Sequence, residues 1–246
     1  MTAGDIVEYN SLNEIDKYAL SALNDVIKQA TLGFENYEFY KTVNAVNNFC
    51  TVFLSGFYLD ALKDIMYCDK VVSKDRKSAQ TVMLEIATVL TQLLAPILSF
   101  TTQEAWNEIT KINKNFPKFV TLADYPKENP KYNLDNETLA KWENLVLIKQ
   151  KVLVENEKLR QQKIIGSNLE ANLIIKYGKK YEEALKDRSL ANVVLGSWDI
   201  KFEKDAVDDT LVVTSNKSNF AKCDRCWRHI DGVIDGLCTR CAEAIK

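Results

Sequence analysis

Four cysteines near the carboxyl end, Cys223, Cys226, Cys238 and Cys241, spell C-x2-C-x11-C-x2-C within the stretch KCDRCWRHIDGVIDGLCTRCAEAIK. Two residues between cysteines let a tight turn aim both thiolates at one point, and two such turns facing each other complete a tetrahedron of sulfur. The spacing predicts one Zn²⁺, with Gly232 and Gly236 supplying the turns that the short middle spacer needs. Four thiolates leave no open position for water, so the metal is expected to be structural rather than catalytic. A segment this short cannot bury enough apolar surface to fold alone, and the metal supplies what a core cannot. His229, the one histidine, is surplus as a ligand and is expected to be exposed or hydrogen-bonded.

Cys50 and Cys68 lie far from this quartet in apolar, helix-patterned sequence. That distribution suits a reducing compartment better than a secreted disulfide framework, so a cytoplasmic location is expected. The amino terminus has no apolar stretch of the signal-peptide kind, and the longest apolar run, Leu93 to Leu98, is far too short to span a bilayer. No membrane partner is expected. A net charge of -2 gives no global pull toward nucleic acid, so any such binding must rest on local patches. Two slight basic excesses exist: six Lys or Arg against three Glu over 141–165, and six against four acidic residues over 217–246.

Eight glycines and four prolines are few for 246 residues, and helix should dominate. Ser11 to Glu14 reads as a capping box opening a helix whose buried stripe is Leu12, Ile15, Ala19, Ala22, Val26 and Ala30, with Gly33 ending it. A second stripe runs through Phe39, Val43, Val46, Cys50, Phe53 and Phe57 to Leu62 and Ile65, with a bend expected at Ser55-Gly56. A third uses Ala79, Val82, Ile86, Leu90, Leu93 and Ile97 until Pro96 interrupts it. Thr101 to Glu104 offers another capping box, for a helix carrying Trp106 and Ile109.

Between Asn113 and Asn133 the period vanishes and three of the four prolines appear, which predicts a long surface connection. Asp135 and Glu137 then open a long helix, marked by Leu139, Trp142, Leu145, Ile148, Val152 and Leu159, running to about Lys163 and stopped by Gly166. Past that point the period becomes two, in Ala171 to Tyr177, Trp198 to Phe202 and around Leu211 and Val213, with KKYEEALKD as a short helix between the first two strands. The expected fold is mainly α: a helical bundle with its Pro-rich connection (1–132), a long connecting helix (133–168), a small α/β module (169–216) and a four-cysteine zinc knuckle (217–246).

Chemistry is sparse. One histidine beside the zinc cysteines cannot supply a Ser/His/Asp or Cys/His set elsewhere. No phosphate-cradling glycine motif and no acidic cluster of magnesium type occurs. No catalytic residue is nominated, which favours a recognition part over a complete enzyme. Around the knuckle, Arg225, Trp227, Arg228, His229 and Arg240 read in two ways. They are displayed for stacking on unpaired bases and contacting phosphates, or Trp227 packs the knuckle onto the α/β module and the arginines are solvated.

The stretches VNNFCTVFLSGFYLDALKDIMYCD and DRKSAQTVMLEIATVLTQLLAPILSFTTQEAW resemble the anticodon-binding helical domain of bacterial isoleucyl-tRNA synthetases. KWENLVLIKQKVLVENEKLRQQKIIGSNLEANLIIK looks like the segment that follows it, and the cysteine terminus is similar to the zinc-binding end of the same enzymes. The resemblance covers nearly the whole chain in the family's order. It implies a C-terminal fragment without the catalytic and editing domains, working with a catalytic domain in cis, expected to be monomeric, and gripping the anticodon stem and loop of isoleucine tRNA. On that basis the RNA contacts are expected at Asn47, Asn48, Arg76, Lys77 and Gln80 on the bundle, Arg160 and Lys163 on the connecting helix, and Trp227, Arg228 and Arg240 on the knuckle. Two other readings stand beside it: a DNA-binding zinc module like that of formamidopyrimidine-type DNA glycosylases, and a structural or docking domain stapled by zinc.

Overall fold

The computed structural model describes residues 3–245. They divide into two compact units, one comprising the chain up to Asp60 together with Val71–Leu134, the other Ala61–Lys70 with the chain from Asp135 onward.

The first unit is helical. Helix α1 (Glu14–Glu35) packs against α2 (Phe39–Asn48) and α4 (Lys74–Leu94), and α4 packs against α5 (Ser99–Ile112). Leu12, Ile15, Ala19, Val26 and Ala30 are buried as expected, joined by Leu20, Leu23 and Ile27, which widen the apolar stripe. Ser11 is not the cap: it closes a 3-10 turn, and α1 begins at Glu14 behind Asn13, whose backbone N–H donates to Ser78 Oγ at 2.9 Å. Gly33 does not end the helix either. It lies inside α1 where a Cβ would collide with the Thr42 hydroxyl, so its role is to let α2 approach.

The second stripe takes an unusual path. Residues Phe49–Tyr58 form a π-helical stretch rather than a bend at Ser55-Gly56, and its wider turn spaces the buried Phe49, Leu54 and Tyr58 by four and five residues. Phe49 stacks on Phe53 at 5.4 Å, and Tyr18 meets Phe53 and Phe57 edge-on. Phe39 and Val43 are exposed, because α2 turns only Thr42 and Val46 inward.

Beneath the aromatic residues lies a polar knot. Tyr58 and Ser78 both donate hydrogen bonds to the fully buried Asp16 carboxylate, joining α1, the π-helical stretch and α4. Burial pushes the Asp16 pKa up to about 6, against the pull of the Ser78 and Tyr58 hydrogen bonds.

Pro96 ends the fourth helix, as its missing amide demands: α4 stops at Leu94 with Ala95 as cap. The capping box at Thr101 does not form. Helix α5 starts earlier, at Ser99, and Thr102 sits within it with its hydroxyl on Leu98 O. The proline-rich connection is held to the unit rather than loose. Val120 is buried with Trp106, Ala95 and Ile109, the Trp106 indole donates to Pro117 O at 2.9 Å, and Asn24 clamps Asn129 and Asn133 from α1.

The second unit is built on α6 (Asn136–Gln161), capped by Asp135, which accepts from Thr138 N at 2.7 Å. Trp142, Leu145, Ile148 and Val152 are buried at 0% exposure. The helix ends before Gly166: Lys163 itself takes the left-handed backbone, φ 58°. Three strands follow, β1 (Ala171–Tyr177), β2 (Asp199–Lys204) and β3 (Leu211–Lys217), in the order β2-β1-β3, with β1 parallel to β2 and antiparallel to β3. Ala171, Leu173, Ile175 and Tyr177 alternate inward, and α6 lies along β3, where Ser215 Oγ donates to Asn156 Oδ1 at 2.6 Å. KKYEEALKD forms two 3-10 turns, and the real crossover helix is α7 (Arg188–Leu195), capped by Asp187. Helix α3 (Leu59–Cys68) sends its residues from Ala61 onward into this unit.

Two outcomes follow from the first unit. Asp16 has its folded pKa raised above 3.8, so its contribution is fully favourable below about pH 4 and is lost as pH rises through about 6. Relative to Asp16→Asn, the wild-type chain should lose on the order of 2–3 kcal/mol between pH 4 and 7 in denaturant titrations; parallel pH profiles would show that the carboxyl is not held protonated. Gly33→Ala should cost about 1–3 kcal/mol by the same measurement, through the clash with Thr42.

Candidate metal centre and nucleic-acid interface

The four terminal cysteines come together as their spacing predicts. Their Sγ atoms all lie within 4.8 Å of one another, and each residue is buried. Metal–sulfur bonds of about 2.3 Å in a tetrahedron place neighbouring sulfurs about 3.8 Å apart. Cys226 Sγ and Cys238 Sγ are 3.8 Å apart, so the donor set fits a four-thiolate metal ion.

Local backbone geometry builds the cage. Trp227 N–H donates to Cys223 O at 2.8 Å and Cys223 N–H to Arg228 O at 2.9 Å, closing a tight turn in which Trp227 takes φ 63°. The second turn uses Gly232, Asp235 and Gly236 at positive φ. A side chain on Gly236 would strike the Asp224 carboxylate, while Asp224 N–H donates to Gly236 O at 2.8 Å. Cys238 stands at the start of α8 (Thr239–Ala244), which carries Cys241. Burial works against the Cys223 thiolate, but backbone N–H groups of Cys226, Cys238 and Arg225 bring its pKa down to about 6. Burial pushes the Cys226 thiol up. His229 is not in the cage: its Nδ1 is 2.9 Å from Phe220 O, which makes it the N–H donor there.

Both readings expected the arginines beside the cage to be displayed or solvated; instead Arg228 is buried and Arg225 and Arg240 are part-buried and bonded within the unit. Arg228 is 8% exposed, with its guanidinium 3.7 Å from the Trp198 ring centroid and hydrogen-bonded to Asp64. Arg240 forks onto both Asp64 oxygens at 2.6 Å and onto Asp69 at 2.9 Å. Burial opposes the Arg240 charge, and the hydrogen bonds and negative charge of Asp64, with Asp69, more than reverse it. Arg225 donates to Cys68 O and lies 3.6 Å from Cys241 Sγ. Guanidinium groups taken out of water need anionic or carbonyl partners, and these three have found them within the unit. Trp227 does the opposite of packing inward: it is 61% exposed, with Lys222 Nζ 5.4 Å from its ring.

The other nominated residues fall in three places. Asn47 and Asn48 are exposed at the end of α2. Arg76, Lys77 and Gln80 lie on the first turns of α4, half-buried, with Lys77 Nζ 3.1 Å from Asp5. Arg160 is held by Glu157 and by Asn168 Oδ1 at 2.9 Å, whereas Lys163 is exposed just beyond α6.

Sequence reasoning missed two groups. The first is Asp64, Cys68 and Asp69, more than 150 residues from the arginines they meet, a pairing no spacing rule announces. The second is a groove of about 580 Å³ between α1 and α2, where Gln29, Asn36, Lys41 and Asn44 join Asn48. The bare polar face of α2 was its only signal. Tyr37 and Tyr40 stand exposed nearby in sequence.

A family model described as the anticodon-binding domain of tRNA ligase matches residues 16–175. The chain belongs to that family. As an anticodon-binding domain it is also similar along 98% of its length to curated isoleucine–tRNA ligases: 36% identical over 264 residues in Petrotoga mobilis, 36% over 251 in Caldicellulosiruptor bescii and 36% over 259 in Brachyspira hyodysenteriae. It spans 27% of the length of those relatives. The similarity to them extends past the family model and through the cysteine module. Among the described residues no helix is long and apolar enough to cross a membrane.

Cys223→Ser removes one corner of the cage. Elemental analysis should find one metal ion per wild-type chain and close to none in the variant, since three thiolates no longer close the site. Equal metal content in both would exclude the cage.

Proposed function

We propose that this anticodon-binding domain is the tRNA-gripping, carboxyl-terminal part of an isoleucine–tRNA ligase. The observation that carries the reading is the end-to-end similarity to isoleucine–tRNA ligases across both units and the cysteine module. In this reading the chain holds the anticodon stem and loop of isoleucine tRNA. Regions of the ligase outside it join isoleucine to the distant 3′ end at the expense of ATP, and the chain alone has no ligase activity. The ion in the cage is Zn²⁺, structural because four thiolates leave no place for water. The protein works as a monomer in the cytoplasm.

The physical basis is the splayed loop. Unstacked bases expose edges and faces that amides and aromatic rings read. Asn47 and Asn48, with the groove amides around Asn48, suit base edges, and Trp227 with Lys222 suits a stacked base beside a phosphate. Arg76, Lys77, Gln80, Arg160 and Lys163 contact the backbone. Arg228 and Arg240 act indirectly, because Asp64 and Asp69 occupy their guanidinium groups.

Filter binding with isoleucine tRNA and a version carrying a different anticodon tests the reading. The chain should prefer the first, and Trp227→Ala should cost about 1–3 kcal/mol, a loss of roughly five- to 150-fold in affinity. Equal affinity for both tRNAs would reject anticodon recognition, and tighter binding to duplex DNA would favour the glycosylase-like reading.

A further inference from the structure

Two arginines from separate parts of the cysteine module converge on one carboxylate. Arg228 follows the first cysteine pair, Arg240 lies on α8 between Cys238 and Cys241, and both bond to Asp64, with Asp69 taking the remaining reach of Arg240. We infer that Asp64, assisted by Asp69, is a positioning residue: it fixes the orientation of the cysteine module and thereby holds Trp227 outward for a nucleobase. The second half of this inference rests on the proposed function.

Attachment at a single point would leave the module free to pivot; attachment through residues 228 and 240 sets its rotation as well. Trp227 precedes Arg228 in a turn whose left-handed backbone sends neighbouring side chains in different directions. Arg228 is pinned between Asp64 and the Trp198 ring, while its neighbour Trp227 is 61% exposed with Lys222 Nζ 5.4 Å from its ring. Further ties limit sliding: Ser218 Oγ donates to Asp199 at 2.6 Å, and Arg225 reaches across to Cys68 O.

Stability alone does not account for the arrangement. Buried ion clusters commonly return little net free energy against a well-packed apolar contact, and here the Nε atoms of Arg228 and Arg240 are buried without acceptors. What forked guanidinium–carboxylate pairs do supply is direction. The charges also suit the loaded cage. Four thiolates around a divalent ion carry a surplus of negative charge, which Arg225 faces at Cys241, leaving Arg228 and Arg240 for the two aspartates.

The test uses the 246-residue chain as wild type, Asp64→Asn, Asp64→Glu, Trp227→Ala and the Asp64→Asn/Trp227→Ala double variant. Metal content, hydrogen exchange of the knuckle amides and the Kd for isoleucine tRNA are measured for each. Asp64→Asn should keep its metal, exchange its 223–229 amides at least roughly tenfold faster and bind tRNA roughly tenfold more weakly. Asp64→Glu, which keeps both acceptors, should recover most of each loss. If Asp64 acts through Trp227, the double variant should bind little worse than either single one, whereas additive losses would overturn that link. Unchanged exchange in Asp64→Asn overturns the orienting role, and so does loss of metal, which would make Asp64 part of building the cage. Should Asp64→Asn fail to fold, Asp69→Asn carries the same measurements. A wild-type chain indifferent to tRNA identity would reject the proposed function and with it the Trp227 link, while the exchange data still decide the orientation.

Discussion

Charge held out of water has to be matched where it sits, and that requirement organises the carboxyl-terminal unit. The cysteine module has a very small core, its cysteines with Ile230, Val233 and Leu237 packed against them, and its three arginines, one buried and two part-buried, are bonded at its edge. The four sulfurs are grouped closely enough to hold a metal ion, Arg225 lies 3.6 Å from one of them, and the other two arginines are matched by Asp64 and Asp69. Those aspartates come from the second half of α3 and the residue just beyond it, so the module's partner lies in sequence that precedes the unit's main body by about 65 to 70 residues. The second unit is accordingly interleaved in sequence, Ala61–Lys70 with the chain from Asp135 onward.

The first unit solves a related problem by a different route. Asp16 is enclosed with no cation bonded to it among the described residues, and is tolerated because two hydroxyls donate to it and burial favours its neutral form. Tyr58 reaches it from the π-helical stretch, whose wider turn seats Tyr58 and Phe49 inward together. The distortion and the polar knot therefore explain each other: a regular helix would rotate the hydroxyl or the ring out of place.

How far the sequence discloses this depends on how local each cause is. The four-cysteine cage, the Pro96 stop, the Asp135 cap and the alternation in β1 are set by neighbours within a few residues, and all are legible. The capping boxes at Ser11 and Thr101 match a local rule that a competitor wins: Asn13 finds two acceptors on α4, Ser78 Oγ and Asp75 Oδ1, and α5 begins a turn early on Ser99. Gly33 reads as a stop until Thr42 is seen against it. Lys163, not Gly166, takes the left-handed turn, which glycine preference alone misplaces. The fate of Arg228 and Arg240 was out of reach, because their partners lie more than 160 residues away and an arginine beside a knuckle looks the same whether free or taken.

That last point changes what the knuckle is able to contribute to an RNA complex. In the proposed reading, a guanidinium already forked onto a carboxylate is not free to displace cations from a phosphate backbone, so the module's share of binding would rest on the face of Trp227 and the ammonium of Lys222 rather than on a cluster of positive charge. Stacking is nearly insensitive to salt and tolerant of base identity. In that reading discrimination between bases would fall to groups with paired donors and acceptors, such as the exposed amides at the end of α2. With a net charge of -2 the chain has little general attraction for a phosphate backbone, which agrees better with the proposed grip on a shaped, opened loop than with capture of any duplex.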